Sequence, residues 1–279
     1  MVAIPLRSEL QVVDRIYKAI EKSKANPDLY LGRIGASFIG EECIRQIWFD
    51  WRGFAREQFD GRMLRLFQTG HLQEDRIIAD LRLAGFSVWD KNEATAAQFE
   101  YSDDTGHFVT KVDGIVKDVP ESTKPHLLEV KTHNKNSFTA LVKKGVQESK
   151  PNHYAQVQMS MKLAGLTRAL YVALCKDDEQ YYVERIREDK KYQEKLDKKI
   201  KSLTGAQLRP AGISDDASSF GCKFCAYKQV CTKEVEPLRH CRTCSMCTPV
   251  AEGKWLCELN KDTLSIDRQR LGCEHYEAL

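Results

Sequence analysis

No apolar stretch in the 279 residues approaches the roughly 20 needed to cross a bilayer. The N-terminal segment, MVAIPLRSELQVVDRIYKAIEKSK, is charged and amphipathic and lacks the unbroken apolar core of a secretory signal. Charge of one sign is not in large excess either. Lys and Arg number 43 against 40 Asp and Glu, a formal net charge of +3, which by itself announces no nucleic-acid or membrane partner. Internal repeats and low-complexity tracts are missing, and so is a Walker A loop, which excludes an ATP-driven motor in this chain. Membrane insertion, secretion and wholesale disorder are thereby set aside, and a soluble, cytoplasmic protein is expected. The composition, 42% hydrophobic and 30% charged, is that of an ordinary globular chain.

Cysteine is what the sequence has in abundance. There are ten, and eight lie between 222 and 273. In a chain without an export signal, closely spaced Cys-x-x-Cys pairs point to metal binding more than to disulfides. Charge is also uneven locally. Residues 131–150 carry five Lys against one acid, and 185–209 carry nine Lys or Arg against four acids. Either stretch reads as a solvated helix face or as a surface for a polyanion.

Periodicity gives an outline of the fold. Residues 8–24 read as a helix with Leu10, Val13, Ile16, Tyr17 and Ile20 on one face. Ser37 offers a cap for a second helix carrying Ile39, Cys43, Ile47 and Phe49. A third is expected over 68–84, with Leu72, Ile77, Leu81 and Leu83 making apolar contacts. The period then shortens to that of strands at 86–89, 97–101, 108–116 and 127–130. A helix follows over 152–164, then strands at 169–174 and 181–186, then a charged helix over 188–203. This order predicts an α/β fold with a mixed central sheet flanked by helices. Residues 1–236 are assigned to that domain and 237–279 to a small cysteine-rich appendage.

The segment Leu127-Leu128-Glu129-Val130-Lys131-Thr132 carries the chemistry. Alternation on a strand sends Glu129 and Lys131 to one face and Val130 to the other. A carboxylate and an ammonium on an apolar strand need a reason to leave water. Upstream, Asp113 interrupts the apolar run Val112-Asp113-Gly114-Ile115-Val116, and the glycine after it admits a close approach. If the two strands are neighbours, Asp113 and Glu129 can share a hard divalent cation, Mg²⁺ or Mn²⁺. The alternative is an edge-strand ion pair between Glu129 and Lys131. His71 and Glu74 share a helical face, and Tyr154, Gln156 and Gln158 interrupt an otherwise apolar helix.

Taken in order, Gly70-His71…Glu74, Asp113, Glu129-x-Lys131 and Tyr154-x-Gln156-x-Gln158 resemble the motifs of the PD-(D/E)XK nuclease superfamily. The chain is similar to its RecB-type iron–sulfur branch, to AddB nuclease domains and CRISPR adaptation nucleases, and to lambda-exonuclease-like phage enzymes. The resemblance covers roughly residues 35–235 and departs from the family name at Val112, which stands before Asp113 in place of proline. It implies the restriction-endonuclease-like fold and a Mg²⁺- or Mn²⁺-dependent DNA exonuclease. The implied metal site takes in His71, Asp113, Glu129 and Val130, with Lys131 orienting the attacking water and Gln156 and Glu74 assisting. It also implies work in phage or bacterial DNA recombination or processing. The partners would be DNA and a recombination or annealing protein or a CRISPR integrase, with oligomers possible.

Of the two cysteine groups, Cys222-x2-Cys225-x5-Cys231 is one thiol short of a tetrathiolate site. Cys43 alone reads as a small buried hydrophobe on a helix. The segment RIGASFIGEECIRQIWFDWRG, however, is similar to the N-terminal region of the iron–sulfur nucleases, which place one cysteine before the core and three after it. That resemblance implies a 4Fe–4S cluster on Cys43, Cys222, Cys225 and Cys231, acting as a staple, with zinc as the alternative. The second group, Cys241-x2-Cys244-x12-Cys257-x15-Cys273, has the spacing of a zinc-ribbon-like site. Cys247, His240 and His275 are competing ligands. With only Trp255, Leu256, Leu259, Leu264 and Ile266 as a core, residues 240–279 would need the metal to fold. Arg239, Arg242, Lys254, Lys261, Arg268 and Arg270 around that site suggest DNA or partner contact. So does the stretch 45–65 with Trp48 and Trp51, and His153 could approach DNA. Cys175 reads as core, and His107, His126 and His133 as surface or sheet-edge residues. The competing readings are a catalytically silent DNA-binding or assembly protein and an iron–sulfur redox regulator, which would leave Glu129-x-Lys131 unexplained.

Overall fold

The structure, a computed structural model, describes residues 7–25, 31–56, 58–214, 216 and 218–279. In chain order come helix α1 (Arg7–Lys24), strand β1 (Ile34–Gly35), helices α2 (Ile44–Arg52) and α3 (Gly61–Leu83), and strands β2 (Ser87–Trp89), β3 (Glu100–Ser102), β4 (Phe108–Lys111), β5 (Gly114–Lys117) and β6 (His126–His133). Helices α4 (Lys135–Ser149) and α5 (Pro151–Leu163), strands β7 (Arg168–Cys175) and β8 (Tyr181–Arg187) and helix α6 (Lys190–Gly205) follow. The C-terminal part holds α7 (Phe220–Lys223), α8 (Lys228–Cys231), strands β9 (Cys247–Val250), β10 (Lys254–Cys257) and β11 (Asp262–Leu264), and α9 (Ile266–Arg270).

Five strands in the order β2-β5-β6-β7-β8 form the central sheet. Only β6 and β7 run parallel; the other pairs are antiparallel, so the sheet is mixed. Strand β7 is buried along all but its first residue, which explains its unbroken apolar run: both faces are covered. Ile77 and Ile78 of α3 cover one face through Val88, Val116, Leu128, Val130, Leu170 and Val172. Phe138 and Leu141 of α4 and Val157 and Met161 of α5 cover the other through Leu127, Ala169, Tyr171 and Ala173. Helix starts are fixed locally. The Asp60, Asn134 and Asp189 side chains accept from the backbone N–H of Met63, Ser137 and Tyr192, and Pro151 opens α5. Among the described residues no helix is long and apolar enough to cross a membrane.

A third buried cluster joins α2, α6 and the small sheet β1-β4-β3 to the C-terminal segment. Trp255 and Leu264 of the three-stranded sheet β11-β10-β9 lie in it with Ile47, Trp48, Trp51 and Phe108. The join is polar as well as apolar. Arg242 donates to the Gly32, Leu31 and Trp51 carbonyls (2.6, 3.0 and 3.1 Å) and to Gln269 Oε1 (2.8 Å). Its guanidinium carbon lies 4.7 Å from the Trp255 ring centroid. His240 Nε2 meets the Gly53 carbonyl and His107 Nε2 the Val250 carbonyl, both at 2.8 Å. Gly253 (φ 68°) lies so near Gly106 that a Cβ on it would stand 2.6 Å from the Gly106 carbonyl oxygen, so both conformation and space require glycine there.

Several expectations are corrected. The apolar face of α1 is largely exposed at Leu10, Val13 and Ile16, because among the described residues α3 is the main element packed beside it. The second helix starts at Ile44, with Cys43 in extended geometry before it and Ser37 in the preceding turn. Helix α3 starts at Gly61, capped by Asp60, and leaves Leu72 and Leu83 exposed. The strand expected over 108–116 divides at Val112-Asp113 into β4 and β5, which belong to different sheets. Trp48, Trp51, Arg45 and Arg52 are buried, so they form core and no phosphate-tracking surface. Likewise Arg242 is buried and turned inward, while Lys254, Lys261 and Arg270 pair with Glu252, Glu258 and Asp267. His107, His126 and His133 are buried, each hydrogen-bonded by a ring nitrogen. Cys175 is core, as read. In the appendage, Leu259 and Ile266 are exposed, and its core is shared with α2.

Replacing Arg242 by Ala strands three backbone carbonyls and removes the cation over Trp255. A loss of about 3 kcal/mol or more is expected in urea unfolding, against no measurable change for the exposed Lys261→Ala. Equal effects of the two would contradict the welded interface. Truncation before 237 is expected to leave an insoluble chain, since Trp51 and Ile47 lose their cover.

Candidate active site

Strand β6 places Glu129 and Lys131 on the face shared with α4 and α5, while Leu128 and Val130 point to α3. Glu129 has none of its surface exposed. Its Oε1 accepts from the Lys131 ammonium, and its Oε2 is buried without a hydrogen-bond partner. Asp113 stands just before β5, antiparallel neighbour of β6, and its Oδ2 accepts from the Val130 backbone N–H at 2.7 Å. Gly114 after it is required by space: a Cβ there would lie 2.8 Å from the Trp89 carbonyl oxygen across the β2–β5 pair. The break that ends β4 and starts β5 is what aims Asp113 at β6.

Glu74 reaches the same place from α3, with Gln98 donating to its Oε1 at 3.2 Å. The charges of the three acids and the lysine act on one another. Burial, partly offset by Lys131 and reinforced by Asp113, pushes the Glu129 carboxyl up to about 7. Burial and the Asp113 charge push Glu74 up to about 7 as well. Asp113 is raised by burial against the pull of Lys131 and the Val130 N–H. Burial works against the Lys131 ammonium, but Glu129, Asp113 and Glu74 outweigh it and raise its pKa. Three carboxyls crowded around one ammonium carry more negative charge than it can neutralise.

The remaining predicted residues are placed as follows. His71 lies one turn before Glu74, exposed, and makes no hydrogen bond or ion pair with the carboxylates. Val130 enters through its N–H to Asp113. Gln156 is half-buried on α5, and no hydrogen bond ties it to the acids. Gln158 is structural: it donates to the Arg187 carbonyl and accepts from the Asp189 N–H, joining α5 to the start of α6. Three residues that the motif reading did not bring to the site stand beside it. Tyr171 pairs directly with Glu129 across the parallel ladder, and its hydroxyl meets His153 Nδ1 at 2.8 Å and His133 Nε2 at 3.1 Å. Period-2 alternation from Glu129 through Lys131 reaches His133, and this was the available signal.

Both cysteine groups converge in space. Cys43, Cys222, Cys225 and Cys231 line one cavity, of about 80 Å³, together with Arg45 and Arg209. Arg45 Nη1 donates to Cys231 Sγ at 3.3 Å, and Arg209 Nη2 to the same sulfur at 3.7 Å. Cys241, Cys244, Cys257 and Cys273 line a second, smaller pocket with Cys247 and His275. His240 is turned away to Gly53. Burial pushes the Cys241 thiol up, with Cys257, Cys273 and Cys244 adding to the effect. Cys247 faces Cys257 across the β9–β10 pair. Arg52, sandwiched between Trp48 and Trp255, lies near Cys247 and Cys244, and its Nε and Nη2 have no hydrogen-bond partner. Among the described residues no three His, Cys, Asp or Glu form a ready-made cage for a metal ion.

No protein-family model and no curated protein matches the chain. Solved structures similar to it include the alkaline exonuclease LHK-Exo from Laribacter hongkongensis, 18% identical over 67% of this chain and 91% of that one, TM-score 0.48. LHK-Exo in complex with dAMP aligns at 19% identity over 63% and 87%, TM-score 0.45. A phage-related exonuclease from Haemophilus somnus 129PT aligns at 13% identity over 74% and 98%, TM-score 0.43.

Proposed function

We propose that the chain is a divalent-metal-dependent deoxyribonuclease, acting as an exonuclease in phage or bacterial DNA processing. One observation carries this reading: a fully buried carboxylate, Glu129, bound on one oxygen by Lys131 and unpartnered on the other, beside Asp113 and Glu74. An orphaned carboxylate oxygen in a group of mutually repelling acids fits a hard cation with oxygen ligands. Glu129 Oε2 and Asp113 would hold Mg²⁺ or Mn²⁺, with Glu74 at its edge and His71 and the Val130 backbone as further candidates. Such a cation supplies charge relief on a phosphodiester and lowers the pKa of water. Glu129 holds the Lys131 ammonium where it orients the attacking water and adds positive charge beside the phosphate. Gln156 assists from α5.

The cysteines are read as two metal centres in two units, 1–236 and 237–279. Cys43, Cys222, Cys225 and Cys231 would hold a 4Fe–4S cluster, and the Arg45 and Arg209 donors to Cys231 would offset the negative charge of thiolate ligands. The cluster would serve as a staple joining Cys43 to the C-terminal segment. Cys241, Cys244, Cys257 and Cys273 would hold zinc. Arg52 supports this: a buried guanidinium with idle donors fits a tetrathiolate site, whose net charge is negative. Because this segment shares its core with α2, zinc removal should lower the stability of the whole chain.

Asp113→Ala and Glu129→Ala are each expected to reduce Mg²⁺- or Mn²⁺-dependent cleavage of end-labelled DNA at least about 100-fold. Lys131→Ala should lose comparable activity while calorimetry shows Mn²⁺ still binding. Wild-type rates in any of the three would remove that residue from the mechanism.

Stability should depend on pH in a defined direction. The folded-state value of about 7 for Glu129 and Glu74 lies above the ordinary 4.5, so the folded chain holds protons that the unfolded chain releases. That contribution is fully present below pH 4.5 and is lost as pH rises through 7, at most about 1.4 kcal/mol per pH unit for each group. In EDTA, the unfolding free energy should fall from pH 5 to pH 7.5; Glu129→Gln should flatten the slope, and Mg²⁺ should oppose it. A metal-free protein that gains stability over this range would contradict the crowded-carboxylate geometry.

Anaerobically purified protein should contain about four irons per chain and one equivalent of zinc. Cys43→Ser should lose iron as fully as Cys225→Ser does, and the Cys241→Ser/Cys244→Ser double variant should lose only zinc. Iron unchanged in Cys43→Ser, or zinc retained in the double variant, would refute the respective site.

A further inference from the structure

A chain of hydrogen bonds runs through the core beside the acids and ends at the half-buried ring of His153. Ser137 Oγ meets His133 Nδ1 at 3.2 Å, His133 Nε2 meets the Tyr171 hydroxyl at 3.1 Å, and the hydroxyl meets His153 Nδ1 at 2.8 Å. The two imidazoles stack 5.7 Å apart. Tyr171 is fully buried and His133 nearly so, whereas His153 is half-buried. His153 Nε2 has no hydrogen-bond partner among the described residues and is not one of the fully buried unsatisfied atoms, in keeping with a half-buried ring. Burial lowers the His153 pKa to about 3, with Lys131, His133 and Lys150 adding to the effect, and lowers that of His133 to about 4, with Lys150, Lys131 and Lys176 adding. Both rings are therefore neutral at neutral pH, and each carries one N–H.

The proton count allows two directions. Tyr171 has a single proton, so it donates to one histidine and accepts from the other. In one direction Ser137 donates to His133 Nδ1, His133 Nε2–H donates to Tyr171, and Tyr171 donates to His153 Nδ1. His153 then presents an outward Nε2–H. In the other, every bond reverses and Nε2 presents a lone pair. The ammonium groups of Lys131 and Lys150 lie near this ring, so the ligand drawn there is an anion, and an anion accepts a donor and repels a lone pair.

We propose that His153 is a phosphate-binding residue: its Nε2–H donates to a non-bridging oxygen of a DNA backbone phosphate next to the Asp113–Glu129–Lys131 group, and Ser137, His133 and Tyr171 fix it in that tautomer. This rests on the nuclease reading and adds to it a contact that positions the strand. His133 and Tyr171 act through His153 and are positioning residues.

Nitrogen-15 NMR of histidine-labelled protein, in EDTA with a short single-stranded oligonucleotide, reads the tautomer directly. The Nε2–H form of His153 is expected in the bound wild type and a mixture in Tyr171→Phe. Steady-state cleavage separates binding from structure, because a glutamine amide can replace the Nε2–H and an asparagine amide, which matches Nδ1, cannot. His153→Gln should keep KM for DNA within about threefold of wild type, and His153→Asn should raise it about tenfold with kcat little changed. An Nδ1–H tautomer in the bound protein, or an unchanged KM in His153→Asn, overturns the contact and leaves the nuclease reading standing. A wild type inactive with both Mg²⁺ and Mn²⁺ overturns the nuclease reading, and the tautomer in the oligonucleotide-bound protein still decides the contact.

Discussion

Glu129 stands at the middle of an apolar strand with no surface in water, and taking a carboxylate out of water is costly unless something replaces the solvent. Here the replacement is incomplete. Lys131 serves one oxygen, the other has no partner, and Asp113 and Glu74 press further negative charge on the group. Much of the surrounding architecture can be understood as holding that unfavourable arrangement. The break at Val112-Asp113 turns the aspartate toward β6, Gly114 lets the β2–β5 pair close tightly behind it, and α3 delivers Glu74 from the opposite face. A chain selected for stability alone would fill this place with apolar groups. Crowded, partly unpaired acids inside a rigid sheet are what a site for a hard cation requires before the cation arrives.

The cysteine site and the acids meet through the N-terminal end of α5. Asn152 Nδ2 donates to Glu41 Oε1 at 2.6 Å, and a Cβ on Gly40 would lie 2.6 Å from Asn152 Cα. Lys199 of α6 reaches in to the Ile39 and Glu41 carbonyls. The loop that ends in Cys43 is thus clamped between α5 and α6, and the next residue of α5 is His153. Whatever fixes Cys43 against Cys222, Cys225 and Cys231 also fixes the loop on which α5 is seated. The same economy of position explains the C-terminal segment. Its Arg242 and Arg52 of α2 are both turned inward on carbonyls and the Trp255 indole, so its cysteine pocket and the α2 core share one set of walls.

What the sequence disclosed depended on whether a local rule governed the outcome. Alternation on β6 revealed Glu129 and Lys131 as a same-face pair, because a strand has only two faces. The spacing of Cys241, Cys244, Cys257 and Cys273 anticipated the group now lining one pocket. Long-range packing was not legible. Nothing local distinguishes a Trp48 or Arg52 that faces DNA from one buried beneath Trp255, because the covering residue lies some 200 positions away. The buried histidines were missed for a related reason: His107 is satisfied by Val250 and His133 by Tyr171, partners that only the folded chain supplies. The division of the strand at Asp113 was hidden because the flanking residues alternate as one strand would, although their partners lie in two sheets.

With Arg45, Arg52, Arg242 and Lys199 committed to the interior, any attraction for the DNA strand of the proposed function would have to come from other cations. Lys131, Lys150 and Lys176 all act electrostatically on His133 or His153, at the end of the sheet where β6 runs into α4 and where α5 begins. Several other lysines of this side are tied to acids, Lys135 to Asp178, Lys144 to Glu148 and Lys162 to Asp197. Lys131 is itself tied to Glu129, which leaves Lys150 and Lys176 as the cations beside the two histidines without an ion pair among the described residues. On the proposed function, a phosphate held near these lysines would lie next to the carboxylates, and a cation between them would lessen the repulsion. The proposed cation and the proposed strand contact would then support each other: the cation would lessen the repulsion from the acids, and the lysines would hold the phosphate where the cation can act on it.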